Sequence, residues 1–328
     1  MNKTHYDWKS AFSHHLKAFV AERQLAGYRF RVQERWIKQF DGYCYEMGID
    51  EGHLTKESLE GFCKNSRGES TMTQQQRLRL LRQFAMYLLK NGYDIELPPA
   101  SEKAFAYPTH NPYIFTEREL KRIFIQADNW VWTSQSRGNR KQVDPLLFRM
   151  IYGCGLRVME ALRLKVADVH LKEGYLHVQD SKNGRSRNVP MADRLTFRCQ
   201  AYSTQMHPFS SPDDYYFPGS TPGRHSSHSA VYHRFREYLW KAGIPHTGNG
   251  PRIHDLRHTF CVHRFKKWAL ACDELSHALP YLSAYLGHAD FRGTEYYLRL
   301  TADLYPEIIS KLECLHGSII PQRSHDNG

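Results

Sequence analysis

The sequence predicts a mainly α protein with a small antiparallel β-sheet, arranged as two domains, a helical N-terminal one and a larger α+β one. Three observations carry this. Apolar residues recur at helical spacing, as in Trp36, Phe40 and Tyr43 at i, i+4 and i+7. One stretch alternates instead: Tyr175-Leu176-His177-Val178-Gln179 is followed, after the turn-forming pair Asn183-Gly184, by a partner from Ser186 to Met191. Between Asp94 and Pro112 the periodicity fades and Pro98, Pro99, Pro108 and Pro112 accumulate, which reads as a linker. The expected boundaries are 1–97 for the first domain, 98–113 for the linker, 114–317 for the second domain and 318–328 for a disordered tail. A length of 328 residues suits two domains.

Taken in order, the first helix with a clear face runs from Arg29 to Tyr43. Its apolar stripe is opposed by Arg31, Arg35 and Lys38. A second spans Thr73 to Lys90, with Leu81, Phe84, Ala85 and Leu88 inward and Arg79 and Arg82 outward. Residues 71–90 hold four basic residues, Arg77, Arg79, Arg82 and Lys90, and no acidic one. A single cationic stripe is usually a solvated face. Surface helices normally mix signs, however, so these stripes favour contact with phosphates. In the second domain, Thr116 and Glu119 have capping-box spacing and open a helix that reaches about Ala127. The tract Thr133 to Gln142 reads as a basic loop. Asp144-Pro145 then starts another helix, with the proline in its first turn. After Gly250 the chain is helical again, ending with a helix from about Asp303 to His316 that carries Leu304, Ile308 and Leu312 on one face.

Composition narrows the function. Lys+Arg is 45 against Asp+Glu 34, a net charge of +11, which points to a polyanionic partner. The seven cysteines are scattered and odd in number, which argues against a disulfide framework and for a reducing, cytoplasmic setting. No run of apolar residues is long enough for a membrane span, and the start MNKTHYDWKSAFSHH lacks the apolar core of a signal peptide. His225, His228 and His233 sit in a serine-rich stretch without a C-x-x-C partner, so a loop with a helix cap is expected there rather than zinc.

Four segments carry groups suited to phosphate chemistry. In Tyr152-Gly-Cys-Gly-Leu-Arg157-Val-Met-Glu160, the glycines permit a tight turn that puts Arg157 at a helix start, where Glu160 at i+3 can orient its planar fork. Lys182 stands in the hairpin turn as a proton donor or point charge. In His254-Asp255-Leu256-Arg257-His258-Thr259-Phe260, His254 and Arg257 share a helical face and couple a group titrating near neutrality to a permanent cation. Around Leu286-Gly287-His288, the glycine ends one helix in a left-handed conformation. His288 follows the break, and Tyr297 comes nine residues later. Each segment also has an ordinary reading: a surface Arg–Glu pair, an exposed turn lysine, satisfied histidines, core tyrosines.

Taken together, the ordered set resembles the tyrosine recombinase (phage integrase) family: GLR-x-x-E at 155–160, Lys182 in a hairpin, H-D-L-R-H-T-F at 254–260, L-G-H at 286–288, and Tyr297. The resemblance is specific from about 115 to 305. It extends loosely to the N-terminal domain as a helical DNA-clasping module. It implies a site-specific DNA recombinase acting in integration, excision or transposition. Arg157 and Arg257 would clamp the scissile phosphate, His254 and His288 would donate or relay hydrogen bonds, Lys182 would protonate the departing 5′-hydroxyl, and Tyr297 would form a 3′-phosphotyrosyl bond. Glu160 and Asp255 would support, and Arg31, Arg35, Lys38, Arg77, Arg79 and Arg82 would touch DNA. No cofactor or metal is implied. The partners would be double-stranded DNA, further copies of the chain in a tetramer, and accessory DNA-bending proteins. Tyr296 competes with Tyr297, but adjacent helical side chains point about 100° apart, so only one can face the phosphate. The competing classes are a type IB topoisomerase, with the same chemistry on one duplex, and a non-catalytic DNA-binding factor. The interval from Phe260 to Ser283 is longer than in many simple family members and reads as a helix-connecting insertion.

Overall fold

The chain divides into two compact units, Met1–Thr109 and His110–Gly328, in the computed structural model. The described residues are 6–28, 30–51, 54–64, 69–97, 112–131, 139–179, 186–248, 250–271, 275–287, 294, 296–297, 300–301 and 304–305. The expected helix from 303 to 316 and the tail beyond it fall mostly outside them. Among the described residues are eleven α-helices and one three-stranded antiparallel sheet.

The first unit is helical: α1 (Ser13–Leu25), α2 (Arg31–Glu46), α3 (Lys56–Lys64) and α4 (Thr71–Lys90). Phe12, Phe19, Phe40 and Phe84 are fully buried and meet edge to face, with Phe19 and Phe84 5.5 Å apart. Ser70 caps α4 by accepting from the Thr73 N–H. Asp41 lies inside this core, although nothing in the helical spacing marks it. Its carboxylate accepts from the Ser10 N–H, the Ser10 hydroxyl, the Lys9 N–H and the Tyr6 hydroxyl, which ties the segment before α1 to α2.

One expectation is corrected here. Arg77 does not join an outer cationic face. It is 3% exposed, paired with Glu69 at 2.7 Å, and its guanidinium lies over the rings of Trp36 and Phe62. A flat cation that stacks on aromatic faces can be buried where a lysine cannot.

The second unit begins with α5 (Glu117–Asp128), and its capping box forms as predicted: the Thr116 side chain accepts from the Glu119 N–H, and Glu119 accepts from the Thr116 N–H. The next helix, α6 (Arg140–Gly153), starts earlier than Asp144-Pro145 and takes Pro145 inside it. The first turn is held by tertiary contacts. Arg140 donates to the Tyr238 hydroxyl at 2.9 Å, pairs with Glu237 at 2.7 Å and covers the Trp130 ring. Asp144 is fully buried, with its oxygens occupied by Arg234 and Tyr238 rather than by a helix end.

After α7 (Val158–Arg163) come β1 (Val169–His170), β2 (Tyr175–Val178) and β3 (Arg187–Pro190), in the order β1-β2-β3. Leu176 pairs with Val189 and Val178 with Arg187, so Leu176, Val178 and Val189 present one face to the core. The turn carrying Asn183-Gly184 lies outside the described residues, and β1 is too short for alternation to reveal it. Four more helices follow among the described residues: α8 (Asp193–Met206), α9 (His228–Lys241), α10 (Asp255–Leu270) and α11 (Leu275–Leu286). The long interval after Phe260 is thus the remainder of α10 followed by most of α11. Ser227 caps α9 at the Ala230 N–H, and His225 hydrogen-bonds the Ser226 carbonyl, as expected of a capped loop.

Candidate active site

The site is organised around one carboxylate. Arg157 is the last extended residue before α7, and the turn ahead of it depends on Gly155, whose φ is +58°. Glu160, one turn on, receives the Arg157 backbone N–H at Oε2 (2.9 Å) and Nη1 of Arg157 at Oε1 (2.7 Å). Two more guanidiniums reach the same group. Arg187 donates to both oxygens, at 2.9 and 3.2 Å, and Arg257 stands 3.7 Å from Oε2. Burial alone would raise the Glu160 pKa. The hydrogen bonds and charge of Arg187, with Arg157 and Arg257, override this and hold it at about 2.

Arg257 enters from the first turn of α10 and is 1% exposed. Leu256 and Phe260 are buried alongside it. Nη1 donates to the Gly155 carbonyl at 2.7 Å and Nη2 to the Leu286 carbonyl at 3.0 Å. The second bond covers the end of α11, where orphan carbonyls favour a cation. Burial, and then the charge of Arg157, pull this guanidinium below the ordinary arginine value. Gly287 follows with φ +66°, the left-handed ending that the sequence predicts.

Tyr297 is 4% exposed, and its phenol is within electrostatic reach of the Arg257 guanidinium and the Cys261 thiol. Burial and Cys261 push the phenol upward; Arg257 pulls it down, and the net direction is up. The His258 ring lies 5.4 Å from that of Tyr297 and 4.7 Å from that of His254, so it adjoins both. His254 itself is exposed. Tyr296 is half-buried. Its phenol is raised by burial and then by the negative charge of Asp255, not lowered by a guanidinium. Asp255 is buried and accepts from the Arg252 N–H at 2.7 Å, which fixes the entry to α10.

The structure therefore brings Arg157, Arg257, Glu160 and Tyr297 into one connected group. Lys182 and His288 lie outside the described residues. Arg187, His258 and Cys261 join the group without having been singled out. For Arg187 a signal existed, since alternation along β3 puts it on the inward face with Val189. In the first unit Arg31, Arg35 and Arg79 are exposed and Arg82 is half-buried, while Lys38 pairs with Glu34 at 2.6 Å. Arg234 is bound to Asp144. Among the described residues no group of three His, Cys, Asp or Glu is placed to hold a metal ion, and no helix is long and apolar enough to cross a membrane.

Residues 114–303 match the model of the phage integrase family. The chain is 26% identical over 318 residues to y4rB of Sinorhizobium fredii, which carries an integrase/recombinase name, covering 93% of this chain and 98% of that one. It is 26% identical over 254 residues to the tyrosine recombinase XerD of Proteus mirabilis, covering 76% and 71%. The crystal structure of the site-specific recombinase XerH, in a post-cleavage complex with its palindromic difH substrate, shares the fold at TM-score 0.63 and 20% identity, covering 92% of this chain and 84% of that one.

Proposed function

The chain belongs to the phage integrase family and is a tyrosine recombinase, and from that premise we propose that it cuts and rejoins double-stranded DNA at specific sites through a 3′-phosphotyrosyl intermediate. The Tyr297 oxygen attacks the scissile phosphorus as its proton passes to the imidazoles of the site. The Oη–P bond forms, the P–O5′ bond breaks, and the leaving 5′-oxygen takes a proton from Lys182. One phosphodiester is exchanged for one phosphotyrosyl ester, so a 5′-hydroxyl can reverse the step without ATP. Arg157 and Arg257 grip the phosphate oxygens and stabilise the extra charge of the pentavalent transition state. His254 and His288 hold oxygens and relay the proton, and Glu160 and Asp255 orient the groups around them. Arg31, Arg35, Lys38, Arg79 and Arg82 supply salt-dependent phosphate contacts from the helical N-terminal unit. The working form is a homo-tetramer on DNA, joined by accessory DNA-bending proteins, and its output is integration, excision or transposition.

One observation carries this reading: the buried Tyr297 phenol lies within electrostatic reach of the Arg257 guanidinium, which stands 3.7 Å from the Glu160 carboxylate that Arg157 also grips. It also favours Tyr297 over Tyr296, whose electrostatic neighbour is the carboxylate of Asp255. The test is a nicked suicide duplex built on the sequence that the protein selects from a randomised pool. A covalent adduct should appear on a denaturing gel, vanish in Tyr297→Phe and survive in Tyr296→Phe. An adduct that persists in Tyr297→Phe overturns the assignment.

A further inference from the structure

Strand β3 carries a charged residue on its buried face. Arg187 stands opposite Val178 and shares a face with Val189, so its side chain enters the core, where it is 9% exposed. A guanidinium in that position needs fixed acceptors. It has three: Nε donates to the Tyr285 carbonyl at 2.7 Å, and Nη1 and Nη2 donate to Oε1 and Oε2 of Glu160 at 3.2 and 2.9 Å. The fit against the end of α11 is close. A Cβ added at Gly287 would lie 2.9 Å from Nη1 and 3.1 Å from Cζ of Arg187.

We propose that Arg187 is a positioning residue for strand cleavage, setting Arg157 and Arg257 at the spacing that grips one phosphate by locking the plane of Glu160 to the end of α11. The inference rests on the phosphate-clamping role given above to those two arginines. Arg157 meets both oxygens of Glu160, through its backbone N–H and its Nη1, but both bonds come from one short segment and nothing in that pair ties the carboxylate to α11. The fork of Arg187 supplies that tie, and its two N–H bonds add a second hold on the carboxylate plane. The plane then fixes Nη1 of Arg157 on one oxygen and the nearby Nη1 of Arg257 on the other. The Nε bond to Tyr285 ties the same carboxylate to the chain entering Gly287 and His288. Lysine cannot substitute, since a point charge holds neither two oxygens nor a plane. Small errors in the placement of reacting groups have large effects on rate.

The experiment uses the full chain and the selected nicked duplex. It compares Arg187→Lys, Arg187→Gln, Glu160→Gln and the Glu160→Gln/Arg187→Gln double variant with wild type. Adduct rate, DNA affinity at fixed salt and melting temperature are measured, with all rates read well below the lowest melting point so that unfolding cannot imitate slow cleavage. Arg187→Lys should bind DNA within about threefold of wild type yet form adduct at least about tenfold more slowly. The double variant should be no slower than Glu160→Gln, because Arg187 acts through that carboxylate. Wild-type adduct rates in Arg187→Lys, or single-variant losses that multiply in the double variant, would overturn the positioning role. Those results with Tyr297→Phe inactive leave the recombinase reading standing, whereas an active Tyr297→Phe removes that reading first.

Discussion

The Arg257 guanidinium donates to the Leu286 carbonyl at 3.0 Å, so a side chain at the start of α10 closes the end of α11. With its second bond to Gly155, the group that is proposed to hold phosphate also joins three segments of the unit. Arg257→Lys should therefore fail in two ways. It should lose adduct formation by about a hundredfold or more, as when one transition-state donor is removed. It should also destabilise the fold by about 2–4 kcal/mol, because two buried carbonyls lose donors. Urea unfolding beside the adduct assay checks both, and unchanged stability would mean that the two carbonyl bonds contribute little.

The legible parts of this fold have local causes. The Thr116–Glu119 capping box, the left-handed ending at Gly287 and the β2–β3 pairing each depend on a few adjacent residues, and each forms. What stayed hidden depends on distant partners. Arg77 reads as one more outward cation until Trp36, Phe62 and Glu69 close around it. Asp144-Pro145 reads as a helix start until Arg234 and Tyr238, about ninety residues on, occupy the carboxylate. In the site, Arg157, Arg257, Glu160 and Tyr297 are visible as motif residues. Arg187 has only its strand register to announce it, because its acceptors lie 27 and 98 residues away.

Glu160 makes stability depend on acid in a defined window. Its carboxyl falls from 4.5 to about 2 on folding. A depressed folded pKa gives stability that is complete above the unfolded value and is lost as pH drops through the folded one. The group is nearly buried, so its contribution is about 3 kcal/mol, lost between about pH 5 and pH 2. Other carboxylates titrate there too, so the measurement is a difference. Unfolding free energies of wild type and Glu160→Gln, taken at pH 7, 5 and 3, should converge as the pH falls. A constant gap would mean that Glu160 is not held in its charged form.

Gly155 has little room for a side chain. Its φ is +58°, and an added Cβ would lie 2.5 Å from Cδ1 and 2.8 Å from Cε1 of Phe260. Left-handed strain and overpacking together should cost about 2–4 kcal/mol in Gly155→Ala. The Gly155 carbonyl accepts from Arg257, so the shift should slow cleavage as well. Pairing Gly155→Ala with Phe260→Leu separates the terms. The second change relieves the clash but not the φ strain, so denaturation should show partial recovery, and full recovery would assign the whole effect to packing.

The cationic helices of the first unit offer a division between binding and folding. Arg31 and Arg35 are exposed on α2, whereas Arg77 is enclosed between two aromatic rings and paired with Glu69. If the exposed pair touches phosphates, each residue releases about one counterion on binding. The double variant Arg31→Ala/Arg35→Ala should then keep its melting temperature while the slope of log K against log salt falls by about 2. Arg77→Met should do the reverse: the melting temperature drops because Glu69 loses its buried partner, while the salt slope of the folded protein stays within about half a unit of wild type. Titrations of a labelled duplex over a range of salt concentrations, with thermal unfolding of the same samples, read both quantities. A lower salt slope in Arg77→Met at full stability would return that arginine to the DNA-facing set. An unchanged slope in the α2 double variant would take that helix out of it.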